Sequence, residues 1–193
     1  MSYREAFRQF YRLLPNVLTT LRLLLAIPMC LLVLLQDFEA VLWIALAAGL
    51  SDGLDGWLAR KLGATTRYGA IVDPLADKVM LSGIYPSLAI IGLLPWWLAL
   101  LVLGRDVVIV LGALAYHAVR GRYDMEPSAW GKASTFLQIL LALAILVQQV
   151  WPATPVIILS VLFWLVVVSA IISGGHYVVT WGRRAFLQGG SPG

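Results

Sequence analysis

Six long apolar stretches account for most of this chain of 193 residues. A helix that crosses a bilayer needs about 20 predominantly apolar residues, because the hydrocarbon core is about 30 Å thick and each helical residue rises about 1.5 Å. We predict spans at roughly residues 15–35, 39–61, 69–93, 96–119, 129–150 and 154–181. The links between them are short, and proline, glycine or polar residues mark most of them. The sequence therefore predicts an all-α, polytopic integral membrane protein with six transmembrane helices.

Composition excludes a soluble globular domain. Hydrophobic residues make up 61% of the chain and charged residues only 12%, whereas soluble domains carry about 25% charged residues. The net charge of +4 is better explained by membrane topology than by nucleic-acid binding, and we expect no nucleic-acid partner. The single cysteine, Cys30, excludes a disulfide framework and a cysteine-rich metal site. The first apolar stretch is longer than a signal-peptide core of about 7–15 residues, so we interpret it as a retained span.

Basic residues collect at the chain ends and in alternate links. They are Arg4, Arg8, Arg12, Arg60, Lys61, Arg67, Arg120, Arg122, Arg183 and Arg184. The intervening links, near residues 36–37, 94–95 and 148–151, contain no lysine or arginine. The positive-inside rule then predicts a protein of the bacterial inner-membrane type, with both termini and the links after spans two and four in the cytoplasm. Trp96, Trp97 and Trp151 are expected at the outer interface.

The first fourteen residues differ from the rest of the chain. Aromatic residues recur there at helical spacing, and three arginines form a separate stripe. This pattern predicts an amphipathic helix that lies in the cytoplasmic interface among membrane lipids, although a solvated charged tail is the alternative. The predicted organisation is an interfacial helix at 1–14, a six-helix domain at 15–184 and a flexible tail at 185–193.

Four aspartates are placed where apolar spans would normally exclude charge. Asp52 and Asp55 are three residues apart on span two, and Asp73 and Asp77 are four residues apart on span three. Helical spacing puts the members of each pair on one face, about one turn apart. A short cytoplasmic link joins the two spans, which makes them antiparallel neighbours. The four carboxylates are therefore expected to converge near the cytoplasmic ends; they are called the aspartate motif below.

Divalent metal explains why these carboxylates are kept. An aspartate at the centre of a span costs about 2.5–3.5 kcal/mol on insertion scales. Carboxylate oxygens are the hard ligands that Mg²⁺, Mn²⁺ and Ca²⁺ prefer, and Mg²⁺ commonly binds substrate phosphates as well. We expect one or two divalent ions and a phosphate-bearing substrate. The nearby glycines either open a ligand groove or only pack helices; they are Gly49, Gly53 and Gly56.

The complete spacing of these residues resembles a family signature. The sequence reads Asp52-x-x-Asp55-Gly56-x-x-Ala59-Arg60, then eight residues, then Gly69, with Asp73 and Asp77 following at intervals of four. It matches every specified position of the CDP-alcohol phosphatidyltransferase motif, DxxDGxxAR(x8)GxxxDxxxD. The six-span layout is also similar, so the resemblance covers nearly the whole chain.

The resemblance implies roles for the motif residues. Asp52, Asp55 and Asp73 would hold Mg²⁺ or Mn²⁺, and Asp77 would lie within reach of the metal and act as the general base. The CDP-lipid, CDP-diacylglycerol, would be bound by motif residues of both spans, namely Asp52, Gly56, Ala59, Arg60 and Gly69. An acceptor hydroxyl would attack the lipid-bearing phosphate, and CMP would leave. A homodimer is expected from the resemblance alone.

Charges in the later spans point to the acceptor, a lipid or a polyol phosphate. Arg105 and Lys132 are candidates to bind its phosphate, and Arg22 is a weaker one. The alternative for Arg105 is a structural ion pair with Asp106. Two branches of the family fit: one uses phosphatidylglycerol and forms cardiolipin, and the other uses glycerol 3-phosphate. The stretches at 104–110 and 131–141 favour phosphatidylglycerol by resemblance.

Two other classes of protein are alternatives. A small ion-coupled transporter would explain aspartates within spans, but it gives no reason for them to gather at one interface beside basic residues. The sequence also shows no pair of broken helices in matching halves. A non-catalytic assembly protein gives no reason to retain four costly carboxylates. The sequence therefore favours a metal-dependent phosphatidyltransferase of phospholipid biosynthesis, with its active site facing the cytoplasm.

Overall fold

The chain is helical in nearly all of its described residues. The computed structural model describes residues 24–62, 67–120 and 129–187, with side chains for 24–51, 78–112 and 130–177. Within those ranges there are six helices and no strand: α1 (Leu24–Leu34), α2 (Phe38–Leu62), α3 (Arg67–Ile90), α4 (Trp96–Arg120), α5 (Ala129–Val150) and α6 (Val156–Leu187). The prediction of an all-α chain is confirmed. The helices α2 to α5 begin and end close to the predicted spans.

The two ends of the chain are only partly covered. The predicted interfacial helix at 1–14 and the beginning of the first predicted span lie outside the described residues. At the other end α6 continues to Leu187, so the helix includes the first residues of the predicted tail. Residues 188–193 lie outside the described part of the chain.

Exposed apolar surface indicates a membrane protein. By length and composition, two stretches of the described residues are able to cross a membrane, Trp130–Val150 and Val156–Tyr177, and shorter apolar stretches occur in α1, α2 and α3. Most of the second stretch is exposed, with Ile157 at 67% and Trp164 at 62%. Soluble proteins rarely expose large contiguous apolar patches, because water around such surface is unfavourable. A lipid environment removes that penalty.

One compact unit of the chain contains α1, α2, α3 and residues 145–153. Its buried side chains include Met29, Val33, Leu42 and Tyr85, each at most 1% exposed. A Cβ atom added at Gly83 on α3 would lie 2.5 Å from the Cys30 sulfur on α1. The absence of a side chain at Gly83 is therefore what allows α1 and α3 to approach this closely.

The turn from α1 to α2 is tight and is held by several hydrogen bonds. Gln36 has a φ of 62°, the left-handed conformation that commonly ends a helix. Its N–H donates to the Val33 carbonyl at 3.0 Å, and the Asp37 N–H donates to the Leu32 carbonyl at 3.0 Å. The Asp37 carboxylate then accepts the Ala40 N–H at 3.2 Å, which caps the N-terminus of α2. One polar dipeptide thus ends one helix and begins the next.

A second turn of the same kind ends α3. Gly92 has a φ of 79°, and its N–H donates to the Ala89 carbonyl at 3.2 Å. The Leu93 N–H donates to the Leu88 carbonyl at 3.0 Å. Pro95 then precedes α4, where its missing N–H leaves no helical hydrogen bond unmade.

The other compact unit contains α4, α5 as far as Ala144, and α6. Helix α4 packs on α6 through buried residues that include Leu98, Val102 and Val166. At one end of this contact the rings of Trp97 and Phe163 meet edge to face, with centroids 5.4 Å apart. This helix pair carries the polar cluster described in the next section.

Candidate active-site residues

The aspartate motif lies on two continuous helices. Asp52 and Asp55 are within α2, and Asp73 and Asp77 are within α3. The members of each pair are therefore separated by about 4.5 Å and about 6 Å along their helix axes. The side chains of residues 52–77 lie outside the described part of the chain. Convergence of the four carboxylates, and the roles of Gly56, Ala59, Arg60 and Gly69, remain predictions.

The chemistry of the motif fits a hard divalent cation. Two carboxylates at helical spacing on each of two helices provide the oxygen donors that Mg²⁺ and Mn²⁺ prefer. Elsewhere, among side chains that the structure describes, no group of three His, Cys, Asp or Glu residues is placed to hold a metal ion. Gly49, one turn before the motif, has open space where a Cβ would be, with no described atom within 4 Å. No packing contact with the described residues therefore requires glycine at this position.

Arg105 and Asp106 form a buried ion pair on α4. An Nη1 hydrogen of Arg105 is donated to Asp106 Oδ1 over 2.6 Å, and the two side chains are 3% and 9% exposed. The Arg105 Nη2 group donates to the Gly131 carbonyl on α5 at 3.1 Å. The same group donates to Ser173 Oγ on α6 at 2.9 Å, and Nε donates to that oxygen at 3.3 Å. Arg105, Asp106, Gly131 and Ser173 are called the Arg105 cluster below.

The cluster joins three helices through one guanidinium. Its geometry is that of the structural ion pair considered as the alternative for Arg105 in the sequence analysis. Acceptor binding by Arg105 stays a prediction. Lys132, the other acceptor candidate, follows Gly131 in the first turns of α5 and is exposed. Arg22 lies outside the described residues.

Sequence reasoning did not single out Ser173 or Gly131. Ser173 is completely buried, and it is one of the few polar residues in a largely apolar helix. A serine in such a position is a signal, since polar side chains in membrane helices usually hydrogen-bond across to a neighbour. A second polar contact lies one turn away, where Ser169 donates to Ser134 Oγ on α5 at 3.3 Å. The partner of each serine, however, cannot be identified from spacing alone.

Comparison with known proteins points to one family. A family profile described as CDP-alcohol phosphatidyltransferase matches residues 12–172. The chain is 38% identical over 133 residues to a probable phosphatidylglycerophosphate synthase of Mycobacterium tuberculosis, covering 65% of this chain and 61% of that protein. It is 34% identical over 142 residues to the CDP-diacylglycerol–glycerol-3-phosphate 3-phosphatidyltransferase of Aquifex aeolicus, covering 71% and 77%.

A third relative carries a different name. Over 187 residues the chain is 28% identical to a cardiolipin synthase (CMP-forming) of Rattus norvegicus, covering 89% of this chain and 62% of that protein. The matched region thus spans less than two thirds of the mycobacterial and rat relatives. The named relatives include both branches that the sequence analysis distinguished.

Proposed function

Because the chain belongs to the CDP-alcohol phosphatidyltransferase family, we propose that it is a membrane enzyme that transfers a phosphatidyl group from CDP-diacylglycerol to an acceptor alcohol and releases CMP. One observation carries this proposal: every specified position of the family motif is present at residues 52–77, within the matched region. The helical course of α2 and α3 supports it, because it keeps the motif spacing in helical register.

In the proposed mechanism the aspartate motif supplies both ligands and a base. Asp52, Asp55 and Asp73 hold one or two Mg²⁺ or Mn²⁺ ions, with Asp77 within reach. When bound, the metal neutralises charge on the diphosphate and on the leaving CMP. Asp77 accepts the proton of the acceptor hydroxyl as its oxygen attacks the lipid-bearing phosphorus.

The remaining motif residues bind the nucleotide part of the donor. Gly56, Ala59 and Gly69 present little side chain, so the CDP group is able to approach the backbone of both helices closely. Arg60 contributes a positive charge for the diphosphate or the cytidine. Asp52 contributes to donor binding as well as to the metal site.

For the acceptor we propose phosphatidylglycerol, with glycerol 3-phosphate as the alternative. Both acceptors carry a phosphate, and Arg105 and Lys132 are the proposed groups that bind it. The resemblance of residues 104–110 and 131–141 to the cardiolipin branch supports phosphatidylglycerol. Relatives named for the other product support the alternative, so the acceptor has to be measured.

The architecture proposed for this enzyme has six transmembrane helices and an interfacial helix at 1–14. The six-helix domain occupies 15–184 and the tail 185–193. Both termini and the active site face the cytoplasm, and two copies form a homodimer. The basic residues in alternate links and the exposed apolar surface of α6 support this membrane arrangement.

The decisive experiment measures CMP release by the purified protein from CDP-diacylglycerol. One acceptor is supplied at a time, with Mg²⁺ or Mn²⁺, and a chelator is added in a parallel reaction. Release with phosphatidylglycerol that stops on chelation and returns with added metal is the expected result. Release only with glycerol 3-phosphate would correct the acceptor and keep the reaction class. If neither acceptor nor any other alcohol supports release, the proposed function is wrong.

A further inference from the structure

Ser173 lies on α6, but its described hydrogen bonds are made with a residue of α4. It is a fully buried hydroxyl, and it lies one residue beyond the region that the family profile matches. Its oxygen accepts hydrogen bonds from both Nε and Nη2 of Arg105. Two bonds from one side of the guanidinium to one atom fix both the position and the plane of the group.

The other contacts of Arg105 determine which N–H group of its guanidinium is left for a further hydrogen bond. Asp106 accepts from Nη1, and the Gly131 carbonyl accepts from Nη2. A guanidinium has five N–H groups, and these contacts together with those to Ser173 use four of them. The fifth N–H is the second hydrogen of Nη1. Ser173 and Gly131 thus hold Nε and Nη2, and Nη1 has one hydrogen that no described residue accepts.

The same contacts fix the beginning of α5. Gly131 lies in the first turn of that helix, and Lys132 is the next residue. Because Arg105 binds both the Gly131 carbonyl and the Ser173 hydroxyl, α6 is connected to this turn through the guanidinium. A change at Ser173 therefore alters the position of the arginine and that of the backbone carrying the lysine.

We propose that Ser173 is a positioning residue for the phosphate of the acceptor, and this inference rests on the proposed function. The hydroxyl orients Arg105 without adding charge, and through Arg105 it sets the first turn of α5 with Lys132. Recognition of phosphate by arginine depends on such fixed geometry. Ser173 itself need not touch the substrate.

The test compares three variants of the full-length protein. Ser173→Ala removes the hydroxyl, and Ser173→Thr keeps it. Ser169→Ala is the matched control, because Ser169 is on the same helix one turn away and its inter-helix bond goes to Ser134 instead of Arg105. Each variant is first checked for a monodisperse elution profile and for its thermal unfolding midpoint, since an added methyl at a buried site destabilises some proteins.

The expected result is a selective effect on the acceptor. Ser173→Ala should raise the KM for the acceptor about tenfold, the usual scale for losing a hydrogen bond to a charged group, while kcat and the KM for CDP-diacylglycerol change less than about twofold. Ser173→Thr should restore most of the loss, and Ser169→Ala should leave both KM values unchanged. An unchanged acceptor KM in Ser173→Ala, or an equal effect of Ser169→Ala, would overturn the proposal.

A separate binding experiment tests the role of Ser173 if the proposed enzymatic function is wrong. If the wild-type protein releases no CMP with any acceptor, binding of inorganic phosphate is measured by calorimetry for the wild type and for Ser173→Ala. Weaker phosphate binding by the variant would support the role of Ser173 without turnover. Equal affinity, or no measurable affinity in either protein, would overturn it.

Discussion

At the scale of single residues, Arg105 and Asp106 are adjacent in the sequence and are also paired in the structure. Their side chains are almost completely buried, and the arginine is additionally bonded to Gly131 and Ser173. Removing one member of a buried pair is more damaging than its net contribution suggests, because the other charge is left without a partner. The stability of the compact unit that contains α4 and α6 therefore depends on Asp106 at least as much as on Arg105.

We expect Asp106→Ala to lower the free energy of unfolding by about 3–5 kcal/mol, because the Arg105 charge stays buried without its counter-ion. Asp106→Asn should cost less, since the amide oxygen is still able to accept a hydrogen bond. Thermal or denaturant unfolding in detergent measures the difference. Equal stability of Asp106→Ala and the wild type would show that the pair contributes nothing.

The proposed base gives a second prediction at this scale. Asp77→Asn should lower kcat for CMP release by about 10²–10⁴-fold, the usual contribution of general acid–base catalysis, while binding of nucleotide and metal persists. Asp37→Asn is the matched control, because the amide oxygen is able to cap α2 as the Asp37 carboxylate does. Normal turnover by Asp77→Asn would contradict the assignment of the base.

At the scale of helices and turns, sequence reasoning succeeded where one residue type dictates the conformation. Pro95 marks the start of α4, and the long apolar runs predict the helices between such marks. The predicted end of the third span, at residue 93, passes Gly92, whereas α3 ends earlier, at Ile90. The left-handed conformation of Gln36 was not predicted, since glycine and asparagine are the residues that favour it. At Gln36 the short connection between α1 and α2 imposes this conformation.

The same limit applies to the candidate site. The spacing of the aspartate motif was readable because its members are local on two helices. The charges at 105 and 106 were readable because they interrupt an apolar run. The bond from Arg105 to Ser173 joins residues 68 positions apart. Only the packing of α4 on α6 brings them together, and no local pattern in the sequence records that packing.

The close approach of α1 and α3 supplies a prediction at the scale of helices. Gly83→Ala should destabilise the protein by about 1–3 kcal/mol, because the new methyl would collide with the Cys30 sulfur. The double variant Gly83→Ala with Cys30→Ala should recover much of that loss. Unfolding midpoints of the single and double variants measure the coupling between the two positions.

Gly49→Ala, on α2 of the same compact unit, is the control for the glycine substitution itself. No described atom lies within 4 Å of a Cβ at Gly49, and alanine is favoured over glycine in a helix by about 1 kcal/mol. We therefore expect Gly49→Ala to be neutral or stabilising. Equal destabilisation by the two glycine substitutions would contradict the assigned contact with Cys30.

At the scale of the whole molecule, alternate links of the chain differ in composition. The links after α1, α3 and α5 are short and contain no basic residue, and exposed tryptophans lie beside two of them. The links after α2 and α4 lie near most of the internal arginines. This alternation is the basis of the proposed orientation in the membrane.

Cysteine labelling tests that orientation. In a Cys30→Ala background, Ala153→Cys should react with a membrane-impermeant maleimide in intact cells, because the link after α5 is predicted to face outward. Arg122→Cys should react only after the cells are opened. The reverse pattern would invert the proposed topology and would place the aspartate motif on the outer side.

The pairing of Arg105 with the next residue in the sequence has a consequence for biogenesis. From Trp96 to Tyr116, α4 carries one positive and one negative charge and no other. The two side chains contact each other within the helix, so the segment brings its own counter-ion when it leaves the ribosome. Insertion of α4 as a nearly neutral unit need not wait for α5 or α6, and the bonds to Gly131 and Ser173 form when those later helices assemble beside it.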